Sequence, residues 1–286
     1  MFAYILDINS LFLLLSYFCY IGDLRAVQSF TDFIYKKDCH RDFSEPLMYA
    51  ACLDHSDICK YLIERKVKID YFKLVSKKVI ITDLNKEIFV MLYNSADEEV
   101  KESFLGELLN ESIQNQNIEV IEFLLEKNSP YDDALFEAVS SRNIDIVNII
   151  LNHSSKPSFI NRISSEGTAL NKAVVLNEIN IVKRLLSLPG IDPNLYAKNN
   201  NTPLVSAITN FNLDMINLIL DFYGDDIESQ AWQLNEALKE VLLIISDQIS
   251  DVIPVHSFGS KKRLENDDIL SVFNRLFQIQ NIEIEK

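Results

Sequence analysis

The sequence contains little glycine, with six residues in 286. Neither G-x-G-x-x-G nor G-x-x-x-x-G-K-[ST] occurs in it. Both motifs use glycine so that backbone amides can approach a phosphate closely. The scarcity of glycine therefore disfavours a fold that binds nucleotides through glycine-rich turns.

Cysteine is also scarce, and the four cysteines, Cys19, Cys39, Cys52 and Cys59, all lie among the first 60 residues. Small secreted scaffolds use many disulfides because they lack a sufficient core, and this chain is long and poor in cysteine. We interpret the four thiols as reduced, small apolar side chains.

No long apolar run is present. The stretch 11–21 is apolar apart from Ser16, but it has 11 residues, whereas a membrane span needs about 20. Asp7 precedes it, no Lys or Arg flanks it on that side, and no cleavage site of small residues follows, so it does not fit a signal peptide. We expect a buried helix and a cytoplasmic protein without a membrane partner.

Basic residues are outnumbered, with 27 Lys and Arg against 42 Asp and Glu, which gives a net charge of −15. Nucleic-acid binding needs a clustered basic excess, so we expect no nucleic-acid partner. Apolar residues make up 48% of the chain, which indicates a folded protein. At this length the choice is between two domains and a repeat array.

A spacing pattern recurs through the chain and indicates internal repeats. It consists of Leu-x-x-Ala, a branched residue nine positions after the Ala, and two apolar residues at positions twelve and thirteen. The leucines of the six copies are Leu15, Leu47, Leu109, Leu135, Leu170 and Leu204, and the residues in the Ala place are Phe18, Ala50, Ser112, Ala138, Ala173 and Ala207. A worn seventh copy has Ile80 in the Ala place.

This spacing predicts a pair of helices in each copy. Leu and Ala three apart share a face of the first helix, and the later apolar positions form the stripe of the second. Five residues after the Ala place stands a side chain suited to capping the second helix, and an acid follows two positions later in most copies. The capping residues are Asn85, Asn117, Asn143, Asn212 and Asp23. We expect Ser10 to cap the first helix of the chain.

Three of the copies carry a recognisable signature. Asn201-Thr-Pro-Leu-Val-Ser-Ala207 resembles the Thr-Pro-Leu-His-x-Ala motif of ankyrin repeats, with Val205 in the His place. Residues 167–173 are similar, and residues 44–50 keep the Pro-Leu-x-x-Ala part. Residues 188–194 resemble the segment by which that family enters its β-hairpin loop. The use of Asn, Ile and Lys resembles divergent ankyrin arrays of parasitic protists or intracellular bacteria.

The resemblance implies an all-α ankyrin-repeat helical solenoid of about seven repeats with an irregular C-terminal cap. We place the array at residues 1–230, and the cap, with an inserted loop at 247–262, at 231–286. The predicted copies lie near 11–42, 43–72, 73–104, 105–130, 131–165, 166–199 and 200–230. A capping repeat closes such an array because a terminal repeat lacks a neighbour.

Ankyrin arrays bind proteins through a concave face made of hairpin tips and first-helix surfaces, and the resemblance implies the same non-catalytic role here. The candidate contacts at hairpins are Ile163, Ser164, Ser165, Glu166, Tyr196, Ala197, Lys198, Asn199 and Asn200. Those near first-helix ends are Gln114, Asn115, Ser140, Ser141, Thr209 and Asn210. Residues 97–137 hold twelve acids and two basic residues, a net charge of −10, so we expect a basic protein partner and a monomeric chain.

Two other interpretations stay open. The chain could be a regulatory adaptor or effector that recruits machinery through its C-terminal region, because the segment 247–262 is irregular. It could also be a zinc-dependent enzyme, because Cys52, His55 and Cys59 are residue types that bind zinc, with Cys39 and His40 upstream. Closed zinc sites usually show paired short spacings, and the template buries Cys59, so we expect no metal, no cofactor and no catalytic residue.

Overall fold

The computed structural model describes residues 7–37, 41–71, 84–127, 132–154, 156–196, 201–210 and 212–223, and a few helical positions between 237 and 276. The chain forms two compact units, Met1–Tyr131 and Asp132–Lys286, called unit 1 and unit 2 below. The described residues are helical, with loops and two isolated β-bridges, as the all-α prediction requires. No described helix is both long enough and apolar enough to cross a membrane.

Unit 1 is built from paired helices. They are α1 (Ile8–Ile21), α2 (Leu24–Lys37), α3 (Ser44–Cys52), α4 (Ser56–Glu64), α5 (Lys86–Ser95), α6 (Glu98–Gln114) and α7 (Ile118–Glu126). Helix α1 packs against α2 and α3, α4 packs against α5, and α6 packs against α7. Residues 72–83, where the first helix of the worn copy is predicted, lie outside the described residues.

Unit 2 is also built from paired helices, with the first helices of the pairs in one layer and the second helices in another. Its helices are α8 (Ala134–Ser140), α9 (Ile144–His153), α10 (Pro157–Ile160), α11 (Ala169–Val175), α12 (Ile179–Leu186), α13 (Pro203–Thr209) and α14 (Leu213–Tyr223). The first helices α8, α11 and α13 pack side by side, and so do the second helices α9, α12 and α14. Each pair thus covers the apolar side of the next pair, as a repeat array requires.

The template residues form the core. All six marker leucines are at most 2% exposed, and so are the small residues at the Ala place in every full copy after the first. In the first copy this place holds Phe18, which is half-buried and packs on Phe30 with ring centroids 5.1 Å apart. Buried Ser112 satisfies its hydroxyl by donating to the Leu108 carbonyl at 2.7 Å.

The predicted caps of the second helices are confirmed. Asn85 accepts a hydrogen bond from the Glu87 amide at 2.8 Å, and Asn117, Asn143 and Asn212 accept equivalent bonds from backbone amides at 2.9–3.3 Å. Asp23 accepts from the Ala26 amide at 3.0 Å. These contacts satisfy donors that have no partner inside the helix.

The turn between paired helices is the same in every copy that the structure describes in full. Four residues after the Ala place the backbone is left-handed, with φ between 57° and 77°, and only the first copy has glycine there. These residues are Gly22, Asp54, Gln116, Arg142 and Asn177. In the same turn the amide five positions after the Ala place donates to the carbonyl at that place, at 2.9–3.1 Å in five copies. This bond closes the C-terminus of the first helix.

One predicted cap is wrong. Helix α1 begins at Ile8, and its N-cap is Asp7, whose carboxylate accepts from the Ser10 amide at 2.7 Å. Ser10 lies within the first turn and is the donor. Asp has the same capping chemistry as Ser, so the residue type did not decide between them.

The C-terminal cap stays a prediction. The predicted loop 247–262 lies outside the described residues. Ala237, Val241, Val272 and Leu276 are helical and at most 5% exposed, which agrees with apolar helical stripes in this region.

Candidate functional site

The first helices of unit 2 place equivalent residues side by side. Ser140, Val175 and Thr209 each stand two residues after the Ala place, at the C-terminal ends of α8, α11 and α13. Because α11 packs between α8 and α13, these three residues form a row, which we call the helix-end row. Ser141 and Asn210 follow directly in their copies.

The hydroxyl groups in the helix-end row are engaged within their own helices. Ser140 donates to the Phe136 carbonyl at 2.9 Å, and Thr209 donates to the Ser206 carbonyl at 3.0 Å. Ser141 likewise donates to the Ala138 carbonyl at 2.7 Å. Their hydroxyl protons are therefore already donated within the helix. A partner protein could use these side chains only as hydrogen-bond acceptors and as small contact surfaces.

Two loop residues of unit 2 expose large apolar surface. Ile163 is 56% exposed and Tyr196 is 52% exposed. They lie in the loops that lead into α11 and α13, seven residues before Leu170 and eight residues before Leu204. We call them the loop pair. Ala197, Lys198, Asn199 and Asn200 lie outside the described residues.

The loop that carries Ile163 has a fixed shape. Ser164 and Gly167 form an isolated antiparallel bridge, in which the Ser164 amide donates to the Gly167 carbonyl at 2.9 Å. The Ser164 hydroxyl donates to the same carbonyl at 2.9 Å. Gly167 has φ of 119°, a conformation that glycine adopts without strain. Ser165 and Glu166 at the tip are exposed.

Ionic contacts hold this loop from both sides. Arg162 reaches Asp133 at 2.8 Å and Asp132 at 3.3 Å. Glu166 pairs with Lys172 at 2.7 Å, and the hydrogen bond and charge of Lys172 lower the pKa of Glu166. These exposed pairs contribute little energy, but they limit the positions that the loop can take.

Amide side chains connect this loop with the next repeat. Asn161 donates to the Gly190 carbonyl at 2.7 Å and accepts from the Asp192 amide at 2.9 Å. Asn171 donates to the Leu195 carbonyl at 2.8 Å, directly before Tyr196. The backbone that presents the loop pair is thus held by bonds from Asn161 to the next repeat and by the bond from Asn171 within its own repeat.

The predicted contacts in unit 1 differ in exposure. Gln114 ends α6 and is exposed, whereas Asn115 is the half-buried C-cap. Within the described part of the chain, the buried Nδ2 of Asn115 has no hydrogen-bond partner.

Sequence reasoning missed an aromatic cluster at the corresponding positions of unit 1. Tyr17 and Tyr20, one before and two after the Ala place of the first copy, are 56% and 54% exposed. The Tyr20 ring lies 6.4 Å from that of Tyr49, which stands one residue before the Ala place of the second copy, as Tyr17 does in the first. Leu13 and Leu53 add exposed apolar surface. Reading these positions in all copies, rather than choosing polar residues, would have found the cluster, and Val175 with it.

Cys59, Cys52 and His55 lie in different environments. Cys59 is fully buried, and burial raises the pKa of its thiol to about 12, so it is protonated at neutral pH. Cys52 is exposed, and the His55 Nε2 lies 3.1 Å from the Tyr20 carbonyl oxygen. Among the residues that the structure describes, no three His, Cys, Asp or Glu side chains are placed to hold a metal ion. Cys39 and His40 lie outside those residues.

Comparison with known proteins gives the following matches. A model described as ankyrin repeats in three copies matches residues 135–231, and a model of a single ankyrin repeat matches residues 45–72. No match was found among curated proteins.

Solved structures with the same fold include the ankyrin repeat domain of Bcl-3, a member of the IkappaB protein family. It is 18% identical, with a TM-score of 0.56 over 68% of this chain and 92% of that one. An ankyrin repeat protein from Leishmania major is 14% identical, with a TM-score of 0.44 over 96% of this chain and all of that one. At such identities the likeness to Bcl-3 concerns the fold alone.

Proposed function

The chain is an ankyrin-repeat protein, and on that premise we propose that unit 2 binds a protein partner along its first helices. Ankyrin repeats serve in general as protein-interaction modules and are typically non-catalytic. The partner would lie between the loop pair, Ile163 and Tyr196, and the helix-end row, Ser140, Val175 and Thr209. This is the surface that the family resemblance predicts to be concave.

The observation that carries the proposal is the exposure of the loop pair. Tyr196 and Ile163 are each more than half exposed in the successive loops that lead into α13 and α11. Tyrosine is enriched among the residues that dominate binding energy, because it combines a large apolar ring with a polar end.

The rigidity of the loops supports the same surface. Asn161, Asn171 and Arg162 hold the backbone around the loop pair before any partner arrives. A surface that is already ordered loses less conformational entropy on binding. The predicted contacts Ser141, Ser164, Ser165, Glu166 and Asn210 would form the polar rim around the apolar anchors.

A binding experiment with single substitutions tests this proposal. Tyr196→Asp and Ile163→Asp each place a charge in the loop pair, and Phe222→Asp makes the same charge change at an exposed apolar residue of the second helix α14. Proteins captured by each immobilised variant are quantified by mass spectrometry, and the main partner is then titrated by calorimetry. We expect both loop variants to weaken binding by about tenfold or more, corresponding to about 1.4 kcal/mol, and Phe222→Asp to leave it unchanged. Equal binding by all variants would overturn the proposal.

We also propose that the partner is basic. Residues 97–137 carry a net charge of −10, and Glu107, Glu119, Glu122 and Glu126 are exposed on α6 and α7. Such a field raises the association rate of a cationic partner and is screened by salt. Replacing these four residues by Gln should slow association and flatten its dependence on ionic strength. An unchanged association rate would exclude a basic partner that is steered by this region.

A further inference from the structure

The exposed side of α1 is aromatic and carries no charge. Between Asp7 and Asp23 the sequence has neither an acidic nor a basic residue. Tyr17 and Tyr20 stand three positions apart, so they share one side of the helix, and both are more than half exposed. The solvent side of a helix normally carries charged and polar side chains. The exposed side of α1 therefore departs from an ordinary solvated surface.

The neighbouring helix α3 adds a third ring and a carboxylate to this surface. Helix α1 packs against α3, and the rings of Tyr20 and Tyr49 lie 6.4 Å apart at an angle of 85°. Glu45 stands four positions before Tyr49 on the same side of α3, and the Tyr49 hydroxyl lies 3.4 Å from its carboxylate. The aromatic cluster, Tyr17, Tyr20 and Tyr49, thus has one carboxylate beside it.

Within the described residues, the cations of this chain pair with other aromatic rings. In six pairs a Lys or Arg lies 4.4–5.8 Å from the centre of a ring, and the aromatic cluster takes part in none of them. Glu45 likewise forms no ion pair with a described residue. Arg41, in the loop that leads into α3, lies over the Phe12 ring and donates to Asn9 at 2.9 Å. The described part of the chain therefore supplies no cation to these rings or to the Glu45 carboxylate.

Contacts between the first two copies hold α1 in place beside α3. The Nε2 of His55 lies 3.1 Å from the Tyr20 carbonyl oxygen in the last turn of α1. A Cβ at Gly22 would lie 2.6 Å from the Cε1 of His55, so this ring packs directly on the turn that follows α1. The rings of Phe12 and Phe43, 5.5 Å apart, connect an earlier turn of α1 with the second copy. A surface that is ordered in advance loses less conformational entropy on binding.

We propose that the aromatic cluster binds a Lys or Arg side chain of a partner protein. The cation would lie over the faces of the tyrosine rings, which carry negative partial charge, and close to the Glu45 carboxylate. Leu13 and Leu53, which are also exposed, would contact apolar residues next to that Lys or Arg. This site lies in unit 1 and the loop pair lies in unit 2, so each proposal can fail without the other.

The test uses the full chain with ¹³C-labelled tyrosine rings and two capped peptides. One peptide is Gly-Leu-Lys-Leu-Gly, and the other has norleucine in place of lysine. NMR spectra are recorded as each peptide is added to millimolar concentration, and Tyr-to-Phe variants assign the signals. We expect the lysine peptide to shift the signals of the aromatic cluster and to bind at least about threefold more tightly than the norleucine peptide. No shift at the cluster would overturn the proposal, and so would equal binding, which would make the cluster a purely apolar surface that a second copy of the chain could equally cover.

Two substitutions separate this site from general charge attraction. Glu45→Gln removes the carboxylate beside Tyr49, and Glu64→Gln removes the same charge from an exposed position on α4, the second helix of the same copy. Charge attraction alone would make the two variants behave alike. We expect Glu45→Gln to weaken binding of the lysine peptide at least about threefold without changing that of the norleucine peptide, and Glu64→Gln to change neither. Equal effects of the two substitutions would overturn the proposal.

A third substitution tests the contribution of the rings. Tyr49→Leu removes a ring and keeps an apolar side chain, and Tyr196→Leu makes the same change at an exposed tyrosine of unit 2. We expect Tyr49→Leu to lose the preference for the lysine peptide and Tyr196→Leu to keep it. A preference that survives in Tyr49→Leu, or is lost in Tyr196→Leu, would overturn the aromatic site. If Tyr49→Leu loses its circular dichroism signal, Tyr17→Leu replaces it with the same criterion.

Discussion

At the scale of single residues, the turn between paired helices is the clearest departure from the family pattern. Ankyrin repeats are expected to have glycine there, and this chain keeps only Gly22. The backbone is nevertheless left-handed at Asp54, Gln116, Arg142 and Asn177. Each non-glycine residue in this conformation carries a steric cost between its Cβ and the following carbonyl. The surrounding repeat, and not the residue type, imposes the turn.

This cost makes Arg142→Gly a stabilising change. Arg142 has φ of 60°, and its guanidinium lies 3.7 Å from the Glu178 carboxylate in an exposed pair that is worth little. Glycine removes the steric cost but adds freedom to the unfolded chain, so we expect a net gain of about 0.5–1 kcal/mol. Urea denaturation followed by circular dichroism measures it. Arg142→Ala is the control: it loses the same pair without relieving the backbone and should not stabilise. A lower midpoint for Arg142→Gly would show that the backbone is not strained.

At the scale of elements, the residues at which the second helices begin were largely predictable from the sequence. Capping depends on residues within a few positions of the helix start, so Asn and Asp at a fixed distance from the Ala place identify it. The start of α6 was not identified, although Asp97, Glu98 and Glu99 are suited to a first turn. The repeat period assigned those residues to the preceding copy, and the helix extends across that boundary.

The capping residues give a prediction for these elements. Asn85 only caps α5, whereas Asn117 caps α7 and also donates to the Leu84 carbonyl at 3.1 Å, linking two copies. We expect Asn85→Ala to cost about 1 kcal/mol of stability and Asn117→Ala to cost about 1 kcal/mol more. Urea denaturation gives both values.

The aspartate variants separate the two roles. Asn85→Asp and Asn117→Asp both keep the acceptor that caps the helix, but Asn117→Asp loses the donor to Leu84. Only Asn117→Asp should therefore remain destabilising. If Asn85→Ala and Asn117→Ala cost the same, the link between the copies contributes nothing.

At the scale of the whole molecule, the net charge disfavours self-association and the exposed apolar surface favours it. A net charge of −15 repels a second copy, whereas the aromatic cluster at Tyr17, Tyr20 and Tyr49 presents surface that could associate. Charge acts over the whole chain and the cluster is small, so we expect charge to decide the oligomeric state.

The chain should therefore sediment as a monomer of 32.9 kDa at low ionic strength. Analytical ultracentrifugation at increasing salt checks this, since salt screens the repulsion but not the apolar contact. A dimer at low salt that Tyr17→Asp disrupts would contradict the prediction and assign the self-association to the aromatic cluster.

The sequence by itself determined the repeat, its helix pairs and most of its caps, because these depend on residues within about 35 positions and on local hydrogen bonds. The resemblance of its motifs to ankyrin repeats also implied that Ile163 and Tyr196 are loop residues. Only the tertiary structure decided which side chains are exposed and which groups are already bonded. Ser140 and Thr209 look like free donors in the sequence, yet they donate to their own helices. The extension of α6 over Glu98–Gln114, across the predicted boundary at 104/105, was likewise visible only in the tertiary structure.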